Sequence, residues 1–188
     1  MSKEHDNRIC PVERAGGLDN FIRRLLQNPQ KILQPYIRKG MTVLDLGCGP
    51  GFFSAEIAKM LFDSGKVIAA DLQEGMLEKV RQKIKRMNLE QRIELHKCQE
   101  DRIGVVEQVD FILAFYMVHE VPNQEALFRE LKSILKPDGI LYIVEPKIHV
   151  SKPSFEDMIA RLRIVGFGII ESPKVFFSRT VLLKHANS

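Results

Sequence analysis

The chain has 188 residues, of which 45% are hydrophobic and 28% are charged, and its formal net charge at pH 7 is +4. A chain of this length can bury roughly 70% of its unfolded surface, so it needs no disulfide staples to form one domain. Its N-terminus is too polar for a secretory signal, and no window approaches the roughly 18 apolar residues of a membrane span. These features argue against a disulfide scaffold and a membrane-spanning protein, and they predict a cytoplasmic one.

The cysteines and the basic charge add little evidence for a specialised site. Cys10, Cys48 and Cys98 are scattered without a CxxC pair, which predicts free thiols in a reducing compartment and no zinc site. The most basic stretch, residues 79–92, has apolar residues at helical spacing and is better explained as the solvated face of a helix than as a nucleic-acid patch. Nucleic-acid binding therefore stays a minor alternative.

Residues 1–40 are predicted to form an N-terminal helical cap segment, ahead of a catalytic core over residues 41–188 in the same domain. The helical pattern begins at Leu18, with Asp19 or Asn20 as a possible cap. Pro29 and Pro35 divide this pattern into two pieces, because proline lacks the amide hydrogen that a helix interior requires.

The core alternates strand and helix patterns in chain order. Buried or half-buried strands are predicted over residues 41–46, 66–71, 92–97, 109–116 and 140–146, and helices over 52–62, 75–87 and 124–135. The run KPDG at 136–139 is a turn signal before the fifth strand. A capped helix then ends near Gly166, and two strands over 166–171 and 175–185 form a closing hairpin.

This alternation predicts an α/β fold. Five strands with helical crossovers form a doubly wound, Rossmann-like parallel sheet between helical layers, an α/β/α sandwich, and the hairpin adds an antiparallel pair to it. In such sheets the ligand lies beyond the carboxyl ends of the strands, so the loops after the predicted strands are the candidate site.

The stretch VLDLGCGPGFF at 43–53 places a glycine-rich turn after the first strand. Glycines let backbone amides approach a ligand at the start of a helix. A phosphate-binding P-loop needs a lysine and a hydroxyl residue after its glycines, and Phe52 and Phe53 occupy that region instead. The spacing G-x-G-x-G is also one residue shorter than a dinucleotide fingerprint.

Two carboxylates describe the ligand further. Asp45 stands two residues before the first glycine, where it would repel a pyrophosphate and attract an ammonium or sulfonium group. Asp71 ends the second strand, where a carboxylate can accept hydrogen bonds from both ribose hydroxyls. A nucleoside with a cationic tail and no phosphate satisfies both, which favours S-adenosylmethionine over NAD.

Residues 41–146 resemble the class I S-adenosylmethionine-dependent methyltransferases of the small-molecule type. The resemblance is carried by VLDLGCGPG, the acid in VIAADLQ, the run AFYMVHEVPNQEALFRELKSILKPDG and LYIVEP. It implies a seven-stranded sheet with its last strand inserted antiparallel. It also implies S-adenosylmethionine as the cofactor and a small molecule as the methyl acceptor.

The resemblance assigns candidate cofactor-binding residues position by position. Gly47, Gly49 and Gly51, with Asp45 and the intervening Cys48, would line the methionine end, Asp71 would take the ribose, and Leu72 and Met76 would lie near the adenine. Gln99 and Glu100 occupy the place after the third strand where the family usually has an acid that binds the adenine amino group. Ala114 and Phe115 end the fourth strand and would face the methyl-donor end.

Tyr116 and His119 are the candidate catalytic residues, because they follow the fourth strand, where the family often meets its substrate. His119 is either a general base or substrate hydrogen-bond donor, or a structural residue that caps or packs the start of the next helix. Glu145, at the end of the fifth strand, is either a structural hydrogen-bonding residue or part of the pocket rim, and His149 is expected on the surface. Cys10, beside Pro11, is either an ordinary free cysteine or a contact for a thiophilic substrate.

The predicted reaction is in-line methyl transfer to a thiol, oxygen or carbon acceptor, and it needs no metal, because AFYMVH lacks a carboxylate cluster. The N/D-P-P-Y/F motif of amino-methylating nucleic-acid enzymes is also missing from this stretch. Three alternatives stay open: a nucleic-acid methyltransferase, a cofactor-binding partner subunit without catalysis, and a nicotinamide oxidoreductase. The acceptor and the oligomeric state do not follow from the sequence.

Overall fold

The computed structural model describes residues 27–186, which form five helices and seven strands. The helices are α1 (Pro29–Leu33), α2 (Phe52–Leu61), α3 (Glu74–Arg86), α4 (Gln124–Ile134) and α5 (Lys152–Val165). The strands are β1 (Thr42–Leu46), β2 (Lys66–Asp71), β3 (Ile93–Lys97), β4 (Val109–Phe115), β5 (Leu135–Pro146), β6 (Phe167–Glu171) and β7 (Ser178–His185). Short 3-10 turns at Phe62–Ser64 and Val118–Glu120 follow α2 and β4.

One seven-stranded sheet organises the molecule, in the order β3-β2-β1-β4-β5-β7-β6. Strands β1 to β5 pair in parallel, whereas β7 is antiparallel to both β5 and β6. The predicted doubly wound sheet with an inserted antiparallel last strand is therefore confirmed. The strand order reverses between β1 and β4, and this switch point opens a crevice at the carboxyl ends of the strands.

The sheet is covered on both faces, which explains why its central strands are almost wholly apolar. On one face, α2 and α3 pack with α1 over Val43, Val67 and Phe111. On the other face, α4 and α5 pack over Leu44, Ile112 and other strand residues of the opposite parity. The alternation of side chains along each strand thus assigns successive residues to two separate cores. None of the helices between residues 27 and 186 is long and apolar enough to cross a lipid bilayer.

The connection between β3 and β4 differs from the prediction, because residues 98–108 contain no helix where a helical crossover was expected. Ile103 and Val105 of this connection enter the core beneath α4. Glu130 of α4 holds it in place by accepting hydrogen bonds from the Ile103 amide at 2.8 Å and the Gly104 amide at 2.7 Å. Two apolar anchors and one carboxylate therefore replace the helix in covering this part of the sheet.

The beginning of β5 also differs from the prediction. The expected turn at KPDG lies inside the strand, which begins at Leu135 and not at Ile140. Val109 pairs with Leu135, and Phe111 then pairs with Ile140, so the turn residues form an irregularity between two paired positions. Asp110 supports this irregularity, because it accepts from the amino group of Lys136 at 2.7 Å.

The predicted N-terminal cap segment is described only from Gln27. Helix α1 begins at Pro29 with the side chain of Asn28 as its cap, and Leu33 packs into the core. The helix predicted from Leu18, its candidate caps Asp19 and Asn20, and the segment of Cys10 and Pro11 lie outside the described residues. The division of the chain into a cap segment and a core stays a prediction.

Replacing Glu130 with alanine should destabilise the fold through the helix-free connection. The substitution leaves the amides of Ile103 and Gly104 without their charged acceptor, and we expect a loss of about 1–3 kcal/mol in the free energy of unfolding. Urea denaturation measures this loss, and amide exchange should quicken at both positions. The control is Glu125→Ala on the same helix, whose exposed pair with Arg129 is worth less than about 1 kcal/mol. Equal losses in the two variants would contradict this role of Glu130.

Candidate functional site

A cavity of about 770 Å³ opens at the carboxyl ends of β1, β2 and β4, at the switch point of the sheet. This volume is within the range of small-molecule and cofactor sites. The cavity wall is built from the loops after the first four strands and from the first residues of the helices that follow. Its position agrees with the expectation that the loops after these strands form the site.

The glycine loop forms one wall of this cavity. Gly47, Gly49 and Gly51 all have positive φ angles, of 68°, 52° and 73°, in the left-handed region that favours glycine. A β-carbon at Gly47 would lie 2.8 Å from the Cβ of Met117, whereas one at Gly49 would meet nothing within 4 Å. Gly47 therefore permits close packing of two loops, and Gly49 leaves its backbone open to the cavity.

Gly51 has a different role from the other two glycines. It is the N-cap of α2, and a β-carbon there would approach the side chain of Val80 on α3 to 3.2 Å. The cavity wall formed by the described residues does not include Gly51. Its observed contacts therefore support a packing role between α2 and α3.

Asp71 connects the end of β2 to the glycine loop. Its carboxylate accepts from the Gly49 amide at 2.9 Å and from the Gln73 amide at 2.8 Å. The side chain lines the cavity and is only 7% exposed. Burial raises the pKa of this carboxyl above its usual value, although the two amide hydrogen bonds oppose the shift. The bond from Gly49 attaches the glycine loop to the end of β2, and the same carboxylate lines the cavity, where a ligand could donate to it.

Asp45 and Cys48 stand beside this carboxylate in the same wall. Asp45 is 2% exposed and accepts a hydrogen bond from the hydroxyl of Ser54 at the start of α2. Burial, followed by the charges of Asp45 and Asp71, raises the pKa of the Cys48 thiol well above its usual value. Cys48 therefore stays a thiol at neutral pH, which agrees with a filler of the turn and not with a nucleophile.

Another part of the cavity wall comes from residues after β2 and β3. Leu72 and Met76 line the cavity, as do Gln99 and Glu100. The side-chain oxygen of Gln99, the candidate adenine acceptor, accepts from the guanidinium of Arg102 at 2.8 Å. One of its two lone pairs is thus already used, and the second is the one that a ligand amino group could use.

Of the last two residues of strand β4, one faces the cavity and the other faces the core. Phe115 lines the cavity, whereas Ala114 is fully buried in the core on the side of α4 and α5. Successive strand residues point to opposite faces, so the two neighbours could not both face the ligand. The prediction that both residues face the methyl-donor end therefore has support only for Phe115.

Tyr116 lines the cavity in a strained conformation, with a φ of 62° that is rare for a bulky residue. Gln27 donates to its hydroxyl at 2.5 Å. The hydroxyl also lies 2.6 Å from the Oγ of Ser178, which itself donates to the carbonyl of Phe176. Tyr116 is therefore the donor toward Ser178, and its proton is held within the protein. This network fits a ring that shapes the cavity better than it fits a proton acceptor.

His119 lies next to the cavity but does not belong to the wall formed by the described residues. Its Nδ1 is hydrogen-bonded to Glu145, whose fully buried carboxylate also accepts from the Val118 amide at 2.9 Å. The ring of His149 stacks on His119 with the centroids 5.5 Å apart. Burial disfavours the imidazolium form, but the hydrogen bond and charge of Glu145 outweigh it, so the pKa of His119 is raised.

The structure thus brings together most of the residues that the sequence predicted. Asp45, Gly47, Cys48, Gly49, Asp71, Leu72, Met76, Gln99, Glu100, Phe115 and Tyr116 share one cavity. Within residues 27–186, no group of three or more histidine, cysteine, aspartate or glutamate side chains could hold a metal ion. The roles of the individual residues stay predictions.

Glu120 is a cavity residue that the sequence reasoning missed. It is the neighbour of His119 in the run MVHEVPN, so the signal was present in a motif already identified. Burial raises the pKa of its carboxyl to about 7, the charge of His119 opposes the shift, and the charges of Glu145 and Asp71 add to it. Glu120 therefore titrates near neutral pH.

The family model and the curated relatives that match this chain are methyltransferases. A family model described as a methyltransferase domain matches residues 37–164. Ubiquinone/menaquinone biosynthesis C-methyltransferases of Escherichia fergusonii and Haemophilus ducreyi are 29% and 28% identical over 135 and 140 residues, or 71% and 74% of this chain. The match covers 52% of each relative, so the chain spans about half the length of these enzymes.

Solved structures extend the comparison to the whole fold. An S-adenosylmethionine-dependent methyltransferase from Aquifex aeolicus is 28% identical with a TM-score of 0.84, over 93% of this chain and 98% of that one. The [4+2]-cyclase SpnF has a TM-score of 0.71 at 15% identity, over 88% of this chain and 82% of that one. The second likeness concerns the fold alone.

Substituting the first two loop glycines should separate backbone strain from steric conflict. Gly47→Ala and Gly49→Ala both place a side chain at a positive φ, but only the first brings a methyl group against Met117. We expect Gly47→Ala to lose about 1–3 kcal/mol more unfolding free energy than Gly49→Ala, because overpacking adds to the shared strain. Urea denaturation measures the difference. Equal losses would show that the side chain of Met117 can move aside without loss of stability.

The raised pKa of His119 should make part of the stability depend on pH. The imidazolium form contributes stability that is complete below the unfolded value of about 6.5 and is lost as the pH rises through the higher folded value. The stability difference between the wild type and His119→Gln should therefore be larger at pH 6 than at pH 9 in urea titrations. His149→Gln, which leaves the bond to Glu145 intact, is the control. A difference for His119→Gln that does not change with pH would contradict the assignment.

Proposed function

We propose that this chain, which belongs to the family of methyltransferase domains, transfers a methyl group from S-adenosylmethionine to a small-molecule acceptor. The observation that carries the proposal is the cavity at the β1/β4 switch point. It joins an open glycine backbone at Gly49 to the buried carboxylates of Asp45 and Asp71. This combination suits a nucleoside that carries positive charge.

Successive loops of the cavity suit successive parts of S-adenosylmethionine, from its methionine end to its adenine. Asp45 and the glycine loop would hold the methionine end, and the free acceptor positions of Asp71 would take the ribose hydroxyls. Leu72 and Met76 offer apolar contacts for the adenine, and Gln99 offers one carbonyl lone pair for its amino group. These assignments rest on the shared cavity and on the chemistry of each side chain.

The charge of the cavity separates this cofactor from dinucleotides. Among the described residues, Arg102 is the one lysine or arginine that lines the cavity. Six carboxylate residues line it as well: Asp45, Asp71, Glu100, Asp101, Glu120 and Glu130. A pyrophosphate would be repelled by such a wall, whereas a sulfonium would be attracted. The cavity therefore supports S-adenosylmethionine and argues against a nicotinamide oxidoreductase.

S-adenosylmethionine, when bound, supplies an electrophilic methyl group, and the chain's task is to align the acceptor with it and exclude water. Phe115 and Tyr116 can form an aromatic side of the cavity toward the acceptor, because their rings lie 4.5 Å apart and both line it. The hydroxyl network of Tyr116 with Gln27 and Ser178 fixes this ring. We also propose that residues 1–40 cover the acceptor side, since Gln27 already reaches Tyr116.

The acceptor is proposed as a class. The relatives from Escherichia fergusonii and Haemophilus ducreyi are named as C-methyltransferases of quinone biosynthesis, which favours a carbon acceptor over the oxygen and thiol alternatives.

The described cysteines, Cys48 and Cys98, are free thiols, which supports a reducing setting such as the cytoplasm.

Calorimetric titration with S-adenosylmethionine and with S-adenosylhomocysteine tests the cofactor. We expect binding of both at micromolar concentrations, because the cavity presents acceptors for the groups that they share. Release of S-adenosylhomocysteine with small hydroquinone or thiol acceptors, followed by mass spectrometry, tests methyl transfer. No binding of either nucleoside by the folded protein would overturn the proposed function.

Replacing Asp71 with alanine should weaken binding of S-adenosylmethionine by about 1.5–3 kcal/mol, the range for a hydrogen bond to a charged group. The substitution also removes the acceptor of the Gly49 amide, so the loop should loosen together with the ribose site. Calorimetry measures the affinity, and circular dichroism confirms the fold. Asp138→Ala, an exposed carboxylate in the β5 irregularity, is the control. Unchanged affinity in folded Asp71→Ala would contradict the ribose assignment.

A further inference from the structure

Glu120 is a partly buried carboxylate of the cavity wall whose side chain has no hydrogen-bond partner among residues 27–186, whereas Glu100 and Asp101, which also lack one, are exposed. Asp45 accepts from Ser54, Asp71 accepts from two amides, and Glu130 holds the β3–β4 connection. Glu120 lines the cavity from the 3-10 turn after β4, and only its backbone amide, which donates to the carbonyl of Met117, is hydrogen-bonded. The carboxylate of Glu120 is therefore open to an interaction with a ligand in the cavity.

The surroundings of Glu120 make its ionisation costly while the cavity holds no cation. Burial is the leading cause, and the carboxylates of Glu145, behind the turn, and of Asp71, which lines the same cavity, also disfavour a further negative charge. His119 favours it, but Glu145 already binds the Nδ1 of that imidazole. The other charged groups of the cavity are Asp45, Glu100, Asp101, Arg102 and Glu130. A positive charge placed among these groups would reverse the balance and favour the ionised form of Glu120.

We propose that Glu120 is the residue by which the cavity distinguishes the cationic sulfonium of S-adenosylmethionine from the neutral thioether of S-adenosylhomocysteine. This inference rests on the proposed function and deepens it. When the sulfonium is present, Glu120 gives up its proton to solvent and becomes its charge partner. When the thioether is present, that charge partner is missing, so Glu120 regains a proton and the product is held less tightly than the substrate.

The carboxyl pKa near 7 makes this discrimination depend on pH in the physiological range. At pH 6 most of the ligand-free protein carries protonated Glu120, so binding of the sulfonium must first remove that proton. At pH 8 most of it is already ionised. The affinity for S-adenosylmethionine should therefore rise by up to about tenfold between pH 6 and pH 8, whereas that for S-adenosylhomocysteine should change less.

Glu120→Gln tests the proposal, because glutamine keeps the shape of the side chain and cannot ionise. Calorimetric titrations at pH 7 in phosphate and in Tris, whose ionisation enthalpies differ, count the protons that leave on binding. The wild type should release about half a proton with S-adenosylmethionine and less with S-adenosylhomocysteine. The variant should bind both ligands with that release abolished and with the preference for the sulfonium reduced about five- to tenfold. Glu125→Gln on the exposed side of α4 is the control and should behave as the wild type.

Equal proton release in Glu120→Gln and the wild type would overturn the proposal, and so would an unchanged preference between the two nucleosides. A wild-type protein that binds neither nucleoside would instead overturn the proposed function.

A second measurement, of thermal unfolding, needs no ligand. Ionising Glu120 disfavours the folded state as the pH rises from about 4.5 toward its folded value near 7, so Glu120→Gln should raise the unfolding midpoint at pH 8 more than at pH 5. An equal effect at both pH values would also contradict the proposal.

Discussion

The candidate site depends on the attachment of the glycine loop to the end of β2. The amides of Gly47 and Cys48 both donate to the carbonyl of Ala70, at 2.8 and 3.0 Å, and the Gly49 amide donates to Asp71. These bonds hold the chain in the left-handed conformations that the three glycines permit. They place the glycine loop beside the end of β2, just before α2 begins. The same carboxylate that closes the loop thus presents its remaining lone pairs to a ligand.

The burial of several carboxylates around the cavity is a second constraint, because it determines which charge the site can accept. Each of Asp71 and Glu120 carries a raised pKa, with burial as the leading cause in both. Ionising both carboxylates within this wall is therefore costly, and a positive charge placed among them would lower that cost. The fold alone does not impose this property, because the strands and helices set the position of the cavity but not the charge of its wall. The side chains at the strand ends decide which ligand the fold can accept.

The hydrogen bonds that support the cavity wall could not be read from the sequence, where the residues that form them are far apart. Glu145 was either a rim residue or a structural one, and the structure places it fully buried beneath the turn after β4, where it binds the Val118 amide and His119. Tyr116 was a candidate catalytic residue, and its hydroxyl is engaged by Gln27 and Ser178, which lie 89 and 62 residues away in the chain. Such long-range partners leave no local pattern.

The sequence by itself determined the order of strands and helices, the glycine loop and the two acids Asp45 and Asp71, because these depend on local periodicity and on short spacings around each strand end. Only the tertiary structure decided that residues 98–108 cross the sheet without a helix, because Glu130 and two buried apolar side chains hold them from another part of the chain. It also decided that Gly51 packs against Val80, that Ala114 faces the core, and that Glu120 joins the cavity. The physical reason is the same in each case: the direction and environment of a side chain are set by neighbours that are distant in sequence.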